Sequence, residues 1–371
     1  MSGAPAAHGE RRRRARATAA PLATTALAAL LLVLLVLLPA PASAATSTKP
    51  KPNDPLTVSP RLGRSPDPAE ARRRARSRFP GLGPVPPNKG GGGDVAPASV
   101  CGADSLAASD QRAVCNIVTS WFDTETGEWD SYDCTAFIIG PRTLATAGHC
   151  VYWKDAAFEG GGGYASSIDV YCDGADVCSG PEGDGNVAAS YGTRVLTTRG
   201  YARKPNLPGP YDAAVIAVAD DLVAYTRAKP IAVSAATGRR RPFAARLAGY
   251  PSRNDESPAC SVDAYANACY QYASAGTLDP STARRGASGL YTSGTLDLCR
   301  GHSGGPVFDG DTGKAVAIVS GFSNTQCLNL FTPLVSAGSA NRATCERARG
   351  GGVSLDCLRR ALAKRGEELG R

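Results

Sequence analysis

The run Cys299-Arg300-Gly301-His302-Ser303-Gly304-Gly305-Pro306-Val307-Phe308 sets a serine among glycines, at a turn leading into an apolar, strand-like stretch. Glycine there lets the backbone come close to a substrate and aim successive N–H groups at one spot. Fixed donors of this kind stabilise the negative oxygen that develops in acyl transfer. A serine hydroxyl is a weak nucleophile until an adjacent base removes its proton. The chain has three histidines. His8 lies in the N-terminal leader. His302 neighbours Ser303 in sequence, so its side chain is expected to leave the turn in another direction. His149, in Thr146-Ala147-Gly148-His149-Cys150, remains as the base for Ser303.

The same glycine-serine stretch also fits the G-x-S-x-G nucleophile elbow of α/β-hydrolases. In those enzymes the order along the chain is serine, acid, histidine. No histidine follows Ser303, so the elbow reading lacks its base. The order histidine, acid, serine remains. On chemistry alone several aspartates qualify, among them Asp169, Asp173, Asp212, Asp220 and Asp221.

The elements that must carry these groups occupy the later part of a 371-residue chain. Net charge is +8, but it is unevenly placed. Residues 1–97 hold 15 Lys and Arg against 5 Asp and Glu, a net of +10, and residues 98–371 hold 26 against 28, a net of −2. The basic balance belongs to the leader, which removes support for a nucleic-acid surface. Twelve cysteines fall between Cys101 and Cys357. They form no CxxC pair and histidine is scarce, so no metal centre is expected. An even cysteine count behind a leader reads as a disulfide-stapled, secreted domain.

Arg11 to Arg14 and Arg16 form a basic segment, Ala26 to Leu38 is uninterrupted and apolar, and Ala42-Ser43-Ala44 supplies small residues. This is the pattern of a signal peptide over residues 1–44, cleaved after Ala44. The apolar core of about 13 residues falls short of the roughly 20 that span a bilayer, so no stable membrane association is expected. Residues 45–97 are rich in Pro, Arg, Gly and Ser, read as a disordered pro-segment or linker. Arg72-Arg73-Arg74-Ala75-Arg76 within it is a candidate processing site. The folded domain is expected over 98–371. Short β-prone runs separated by turn residues point to an all-β barrel or sandwich: Asn116–Val118, Thr135–Ile139, Asp169–Tyr171, Ala213–Val218, Arg246–Tyr250, Gly289–Thr292, Val316–Ser320 and Asn329–Leu334. Ser354 caps an expected C-terminal helix with Leu355, Leu358 and Leu362 on one face. Proximity in sequence pairs Cys101 with Cys115, Cys172 with Cys178, Cys260 with Cys269 and Cys345 with Cys357.

The run Cys134-Thr135-Ala136-Phe137-Ile138-Ile139-Gly140-Pro141-Arg142-Thr143-Leu144-Ala145-Thr146-Ala147-Gly148-His149-Cys150 resembles the histidine block of trypsin-like (chymotrypsin-fold) serine peptidases, closest to their glutamyl-endopeptidase-like, V8-like branch. The likeness continues through Tyr211-Asp212-Ala213-Ala214-Val215-Ile216, Gly249-Tyr250-Pro251, the serine block and Ile318-Val319-Ser320-Gly321, over roughly residues 110–335. It implies two Greek-key antiparallel β-barrels, about 98–222 and 223–371, the second carrying the terminal helix, with the active site between them. It further implies a triad of His149, Asp212 and Ser303, an oxyanion hole made by the N–H groups of Gly301 and Ser303, and disulfides Cys134–Cys150 and Cys299–Cys327. Asp212 is preferred among the aspartates because it opens an apolar strand that would bury its carboxylate. The implied activity is that of a secreted endopeptidase cleaving protein or peptide substrates, without a cofactor. The alternative is an inactive homologue that binds proteins.

Two positions depart from the family pattern. His302 stands where relatives carry the aspartate that binds a newly freed N-terminus, and no basic residue followed by Ile-Val-Gly-Gly precedes Cys134. Activation by N-terminal insertion is therefore not expected. For specificity, Asp297 lies six residues before Ser303, where a carboxylate would favour Arg or Lys at P1. Ser320, Gly321 and Asn329 line the expected pocket. Val319 stands where glutamyl-specific members have histidine, and Asn329 where a pocket glycine is expected.

Overall fold

The computed structural model describes residues 57–58, 62, 106–122, 127, 129–153, 163–172, 189–205, 208–235, 239–252, 269–285, 289–323, 328–347 and 351–369. Their strands fall in two large sheets. The first has the order β1 (Thr57–Val58), β9 (Ser190–Thr197), β10 (Ala214–Val218), β5 (Thr143–Thr146), β4 (Trp129–Gly140), β3 (Val114–Phe122) and β8 (Ser167–Tyr171). Strands β8 and β9 also pair, at Asp169↔Tyr191 and Val170↔Ser190, so six strands close into a barrel with β1 added outside β9. The second sheet runs β13 (Tyr291–Ser293), β16 (Leu328–Pro333), β15 (Ala315–Ser323), β14 (Pro306–Asp309), β11 (Phe243–Gly249), β12 (Tyr272–Leu278) and β2 (Ala107–Ala108). Its two flanks, β12 and β13, meet through the single bridge Asp279↔Thr292. A two-stranded ribbon, β6 (Tyr152–Trp153) with β7 (Gly163–Tyr164), follows the histidine turn. This is the all-β double barrel that the resemblance implies.

Both barrels close around apolar cores, as the strand composition dictates. Ile117, Phe137, Leu144, Ile168, Leu196 and Ile216 fill the first, and Leu247, Val307, Val316, Val319 and Phe331 the second. Strand β11 alternates buried and exposed residues where one face meets solvent, whereas β3 is buried at every position but its last. Among the described residues, no helix is long and apolar enough to cross a membrane.

The C-terminal helix α4 (Leu355–Leu369) follows α1 (Arg199–Arg203), α2 (Leu222–Thr226) and α3 (Ser281–Arg285). Ser354 Oγ accepts the Cys357 N–H at 3.3 Å, an N-cap that satisfies one of the helix's orphan donors. Leu355, Leu358 and Leu362 are buried on one face, and the helix packs against β9 and β10 of the first barrel. The barrels also interleave at the other end, because Ala107–Ala108 pairs with β12 of the second sheet. In the segment read as a disordered linker, Thr57–Val58 pairs with β9, and Leu62 is buried with its N–H on Thr193 O. The rest of residues 1–97, with the expected leader and processing site, lies outside the described residues.

Three disulfides join described cysteines. Cys134–Cys150 ties β4 to the histidine turn, and Cys345–Cys357 ties α4 to the segment before it. The third is Cys115–Cys172, which replaces both the 101–115 and the 172–178 pairings expected from proximity. Strand register is the reason. Antiparallel pairing of Asn116 with Tyr171 brings Cys115 beside Cys172, 57 residues away, with Cα atoms 4.5 Å apart. Cys269 and Cys299 are disulfide-bonded too. Cys260 and Cys327, their expected partners, lie outside the described residues.

Candidate active site

His149 is the middle residue of a 3-10 turn, Gly148–Cys150, directly after β5. Close packing demands glycine before it: a Cβ on Gly148 would lie 2.6 Å from Tyr201 Cδ1 and 3.0 Å from Asp212 Oδ1. Asp212 precedes β10, which pairs with β5, so adjacent strands of one barrel bring the two residues together. The His149 backbone N–H donates to Asp212 Oδ1 at 2.9 Å, and its ring Nδ1 meets Asp212 Oδ2 at 2.8 Å. Both oxygens of a carboxylate that is 1% exposed are thereby used. A third donor comes from the other barrel, where Ser320 Oγ on β15 donates to Asp212 Oδ2 at 2.5 Å.

Electrostatics follow from this arrangement. Burial alone would lower the His149 pKa. The Asp212 charge and hydrogen bond outweigh it, and the imidazole is held above its ordinary 6.5. With Nδ1–H committed to Asp212, the neutral ring presents Nε2 as a proton acceptor on its outward side. The ring is 29% exposed, open enough for a reacting group to reach it.

Ser303 sits half-buried in the loop before β14. Gly301 and Gly304 flank it with φ of +83° and +84°, the left-handed region that glycine enters without strain. A Cβ on Gly304 would lie 2.1 Å from Thr146 Oγ1, and one on Gly301 2.3 Å from Tyr250 O. Carbonyls of the loop turn inward. Ser252 N–H donates to Arg300 O at 2.6 Å, Gly305 N–H to His302 O at 2.9 Å and Thr135 N–H to Ser303 O at 2.8 Å. A trans peptide points its C=O and N–H in opposite directions. The N–H groups of Gly301 and Ser303 therefore face out, and among the described residues neither has an acceptor. Ser303 Oγ makes no hydrogen bond to His149 here, and such contacts commonly tighten only when substrate is bound.

The remaining expected site residues are in the second barrel. Asp297 is 3% exposed, its N–H on Ser274 Oγ at 2.8 Å. Asn329, on β16 and fully buried, donates its Nδ2 to Leu296 O, so its amide lies against the segment holding Asp297. Gly321 faces the loop before Asp212, where a Cβ would lie 3.0 Å from Pro208 Cγ. Ser320, expected to line the substrate pocket, has its hydroxyl on Asp212. Val319 is buried in the second core. Cys134, His149 and Cys150 cluster within 4.8 Å, but both sulfurs are joined in the disulfide and offer no thiolate to a metal. Reasoning from the sequence missed Thr135 and Thr146 altogether. Both lie inside the histidine block, but the partners that give them meaning are far along the chain.

A half-exposed histidine held on a buried aspartate in one barrel, with a glycine-flanked serine on a loop of the next, is the residue set of the trypsin-like class of serine peptidase. Residues 134–318 match the family profile described as a trypsin-like peptidase domain, a span that includes the histidine, aspartate and serine blocks. The chain belongs to that family and is a serine endopeptidase. Comparison with curated proteins finds no match. Similar solved structures include a Glu endopeptidase in complex with MPD, 16% identical, covering 72% of this chain and 99% of that one at a TM-score of 0.46. The protease Anisep from Arthrobacter nicotinovorans is 17% identical over 60% of this chain and 90% of that one, at 0.43. A thermostable serine protease, AL20, from an extremophilic microorganism is 18% identical over 60% and 91%, also at 0.43.

Proposed function

We propose that this chain is a secreted endopeptidase working through an acyl-enzyme on Ser303, with His149 as general base and Asp212 as its orienting carboxylate. The observation that carries the reading is the His149–Asp212 pair, hydrogen-bonded at two points and facing a loop with two outward N–H groups. Ser303 Oγ bonds to the scissile carbonyl carbon as its proton passes to His149 Nε2. The carbonyl π electrons move onto oxygen, which the N–H groups of Gly301 and Ser303 hold. Asp212 stabilises the imidazolium without taking its proton. His149 then protonates the leaving amine as the C–N bond breaks. Water then bonds to the ester carbon as the same histidine takes its proton; the bond to Ser303 Oγ breaks, Oγ takes that proton back from His149, and the carboxylic acid leaves.

The proposed P1 preference is Arg or Lys. Its support is the position of Asp297 six residues before Ser303 and the burial of that residue, whose carboxylate would attract a guanidinium or ammonium. Secretion is supported by three disulfides among the described residues and by the pattern of residues 1–44. Fluorophosphonate labelling of the secreted protein, beside Ser303→Ala and His149→Ala, tests the triad, and a P1 peptide library tests the pocket. Labelling that needs both residues, with cleavage after Arg or Lys, is the expected result. Cleavage after another residue overturns the pocket reading alone. Absence of labelling favours the protein-binding homologue.

A further inference from the structure

The loop carrying Ser303 is fastened from beneath by one residue of the opposite barrel. Thr135, on β4 and fully buried, uses every polar atom it has. Its N–H donates to Ser303 O at 2.8 Å, and its carbonyl accepts the Thr146 hydroxyl at 2.8 Å. Its own hydroxyl donates to Gly301 O at 2.7 Å and accepts the Tyr250 N–H at 3.0 Å.

Gly301 O belongs to the peptide unit lying between the two units whose N–H groups form the oxyanion hole. Holding that middle carbonyl down fixes the dihedrals on either side and with them the direction of both outward N–H groups. The other end of the loop is held by His302, whose Nδ1 accepts the Cys299 N–H at 2.9 Å. Packing leaves no slack: a Cβ on Gly249 would lie 2.8 Å from both His302 Cδ2 and Thr135 Oγ1. These anchors are internal groups, and none is a chain terminus.

We propose that Thr135 is the positioning residue of the oxyanion hole, its hydroxyl clamping the Gly301 carbonyl so that the loop 299–304 stands in its competent form without an N-terminal ion pair. The proposal rests on the reading of Ser303 as nucleophile, but the clamp itself has a readout independent of catalysis. Thr135→Val keeps the β-branched shape and removes the hydroxyl, leaving Gly301 C=O without its donor. Thr135→Ser keeps the hydroxyl and loses a methyl.

The test is amide hydrogen exchange of the folded, secreted protein over peptides spanning residues 299–305, beside steady-state kinetics. In Thr135→Val, exchange of that loop is expected to rise by about tenfold or more while the β3–β4 ladder keeps its protection. The value of kcat is expected to fall roughly 10- to 100-fold with KM little changed, below the loss from deleting an oxyanion donor outright, which is about 10²–10³. Affinity for a peptide boronate, which places an oxygen in the hole, is expected to fall in step with kcat. Thr135→Ser restores loop protection and most of kcat. Loop exchange in Thr135→Val equal to the parent overturns the proposal, whatever the activity does. So does failure of Thr135→Ser to restore protection, since the effect would then come from packing. A parent that fails to label with fluorophosphonate overturns the nucleophile reading, while the exchange comparison still decides the clamp.

Discussion

The two barrels solve different problems. The first is closed all the way round by paired strands, and two of its disulfides, Cys115–Cys172 and Cys134–Cys150, lie on its strands or the turn they feed. It holds the histidine and the aspartate, whose task depends on a fixed separation and a fixed ring orientation. Among the described residues, the second barrel meets itself at one bridge, and it presents its serine from a loop with two left-handed glycines. A nucleophile and an oxyanion hole must reach substrate, and a glycine-bearing loop can turn several N–H groups outward together. Order in that loop is borrowed from the first barrel through Thr135, while the second barrel lends Ser320 to Asp212. Each half thus supplies the support that the other half's chemistry needs.

The largest effects should come from removing one group on each side. Ser303→Ala and His149→Ala are each expected to lower kcat by about 10⁴–10⁶-fold, and the double variant to be little worse than either, because the two act as a unit. Peptide hydrolysis with burst-phase controls measures this. Additive losses would mean that the barrels act independently and would break the comparison. Asp212→Asn comes next. It leaves the geometry in place but favours the wrong tautomer, for an expected loss near 10⁴-fold. It also moves the acid limb of kcat/KM. In the parent, activity requires neutral His149 and falls as pH drops through a midpoint above 6.5. Without the aspartate charge, burial alone remains and the midpoint shifts downward. A limb unmoved in Asp212→Asn would show that Asp212 does not raise the histidine.

Smaller is the effect of Ser320→Ala, which removes the donor reaching Asp212 from the other barrel. A hydrogen bond to a charged group contributes about 1.5–3 kcal/mol, so kcat is expected to fall about tenfold with P1 preference unchanged. A change of P1 preference instead would return Ser320 to the pocket.

Sequence and structure agree where chemistry restricts residue type. In the proposed triad, His149 was legible because the chain has three histidines, and Ser303 because of its glycine-rich run, whereas Asp212 was one of several aspartates and was preferred through the resemblance and the apolar strand it opens. Strands such as Ala214–Val218 were legible as apolar runs. The strands Ser190–Thr197 and Tyr272–Leu278 were not, since SYGTRVLT and YASAGTL mix glycine, serine and threonine into half-buried faces that read as loop. Cys115–Cys172 was hidden because register, not distance along the chain, chooses its partner. Thr135 was hidden more deeply still. Its role is defined by Gly301, 166 residues away, and by Tyr250, 115 away. Nothing local marks a threonine after a cysteine as a clamp.

The smallest effect on activity is expected from His302, whose contribution appears in stability instead. This ring is fully buried, and burial pushes its pKa down to about 3. Its Nδ1 accepts the Cys299 N–H, so the neutral form carries its proton on Nε2, which has no partner among the described residues. An unfolded histidine titrates near 6.5. Between about pH 6.5 and 3 the unfolded chain binds a proton that the folded chain refuses, so this group makes stability fall as pH falls through that window. The slope is about 1.4 kcal/mol per pH unit where the unfolded histidine is charged and the folded one is not. His302→Asn keeps an acceptor for the Cys299 N–H and removes the titration. Denaturant unfolding of parent and variant from pH 7 to 4 should give curves that converge as pH falls, by up to that slope. A constant difference between them would mean that His302 is protonated in the folded protein. The serine-bearing loop would then carry a buried charge, and its order would owe less to Thr135 than the neutral arrangement requires.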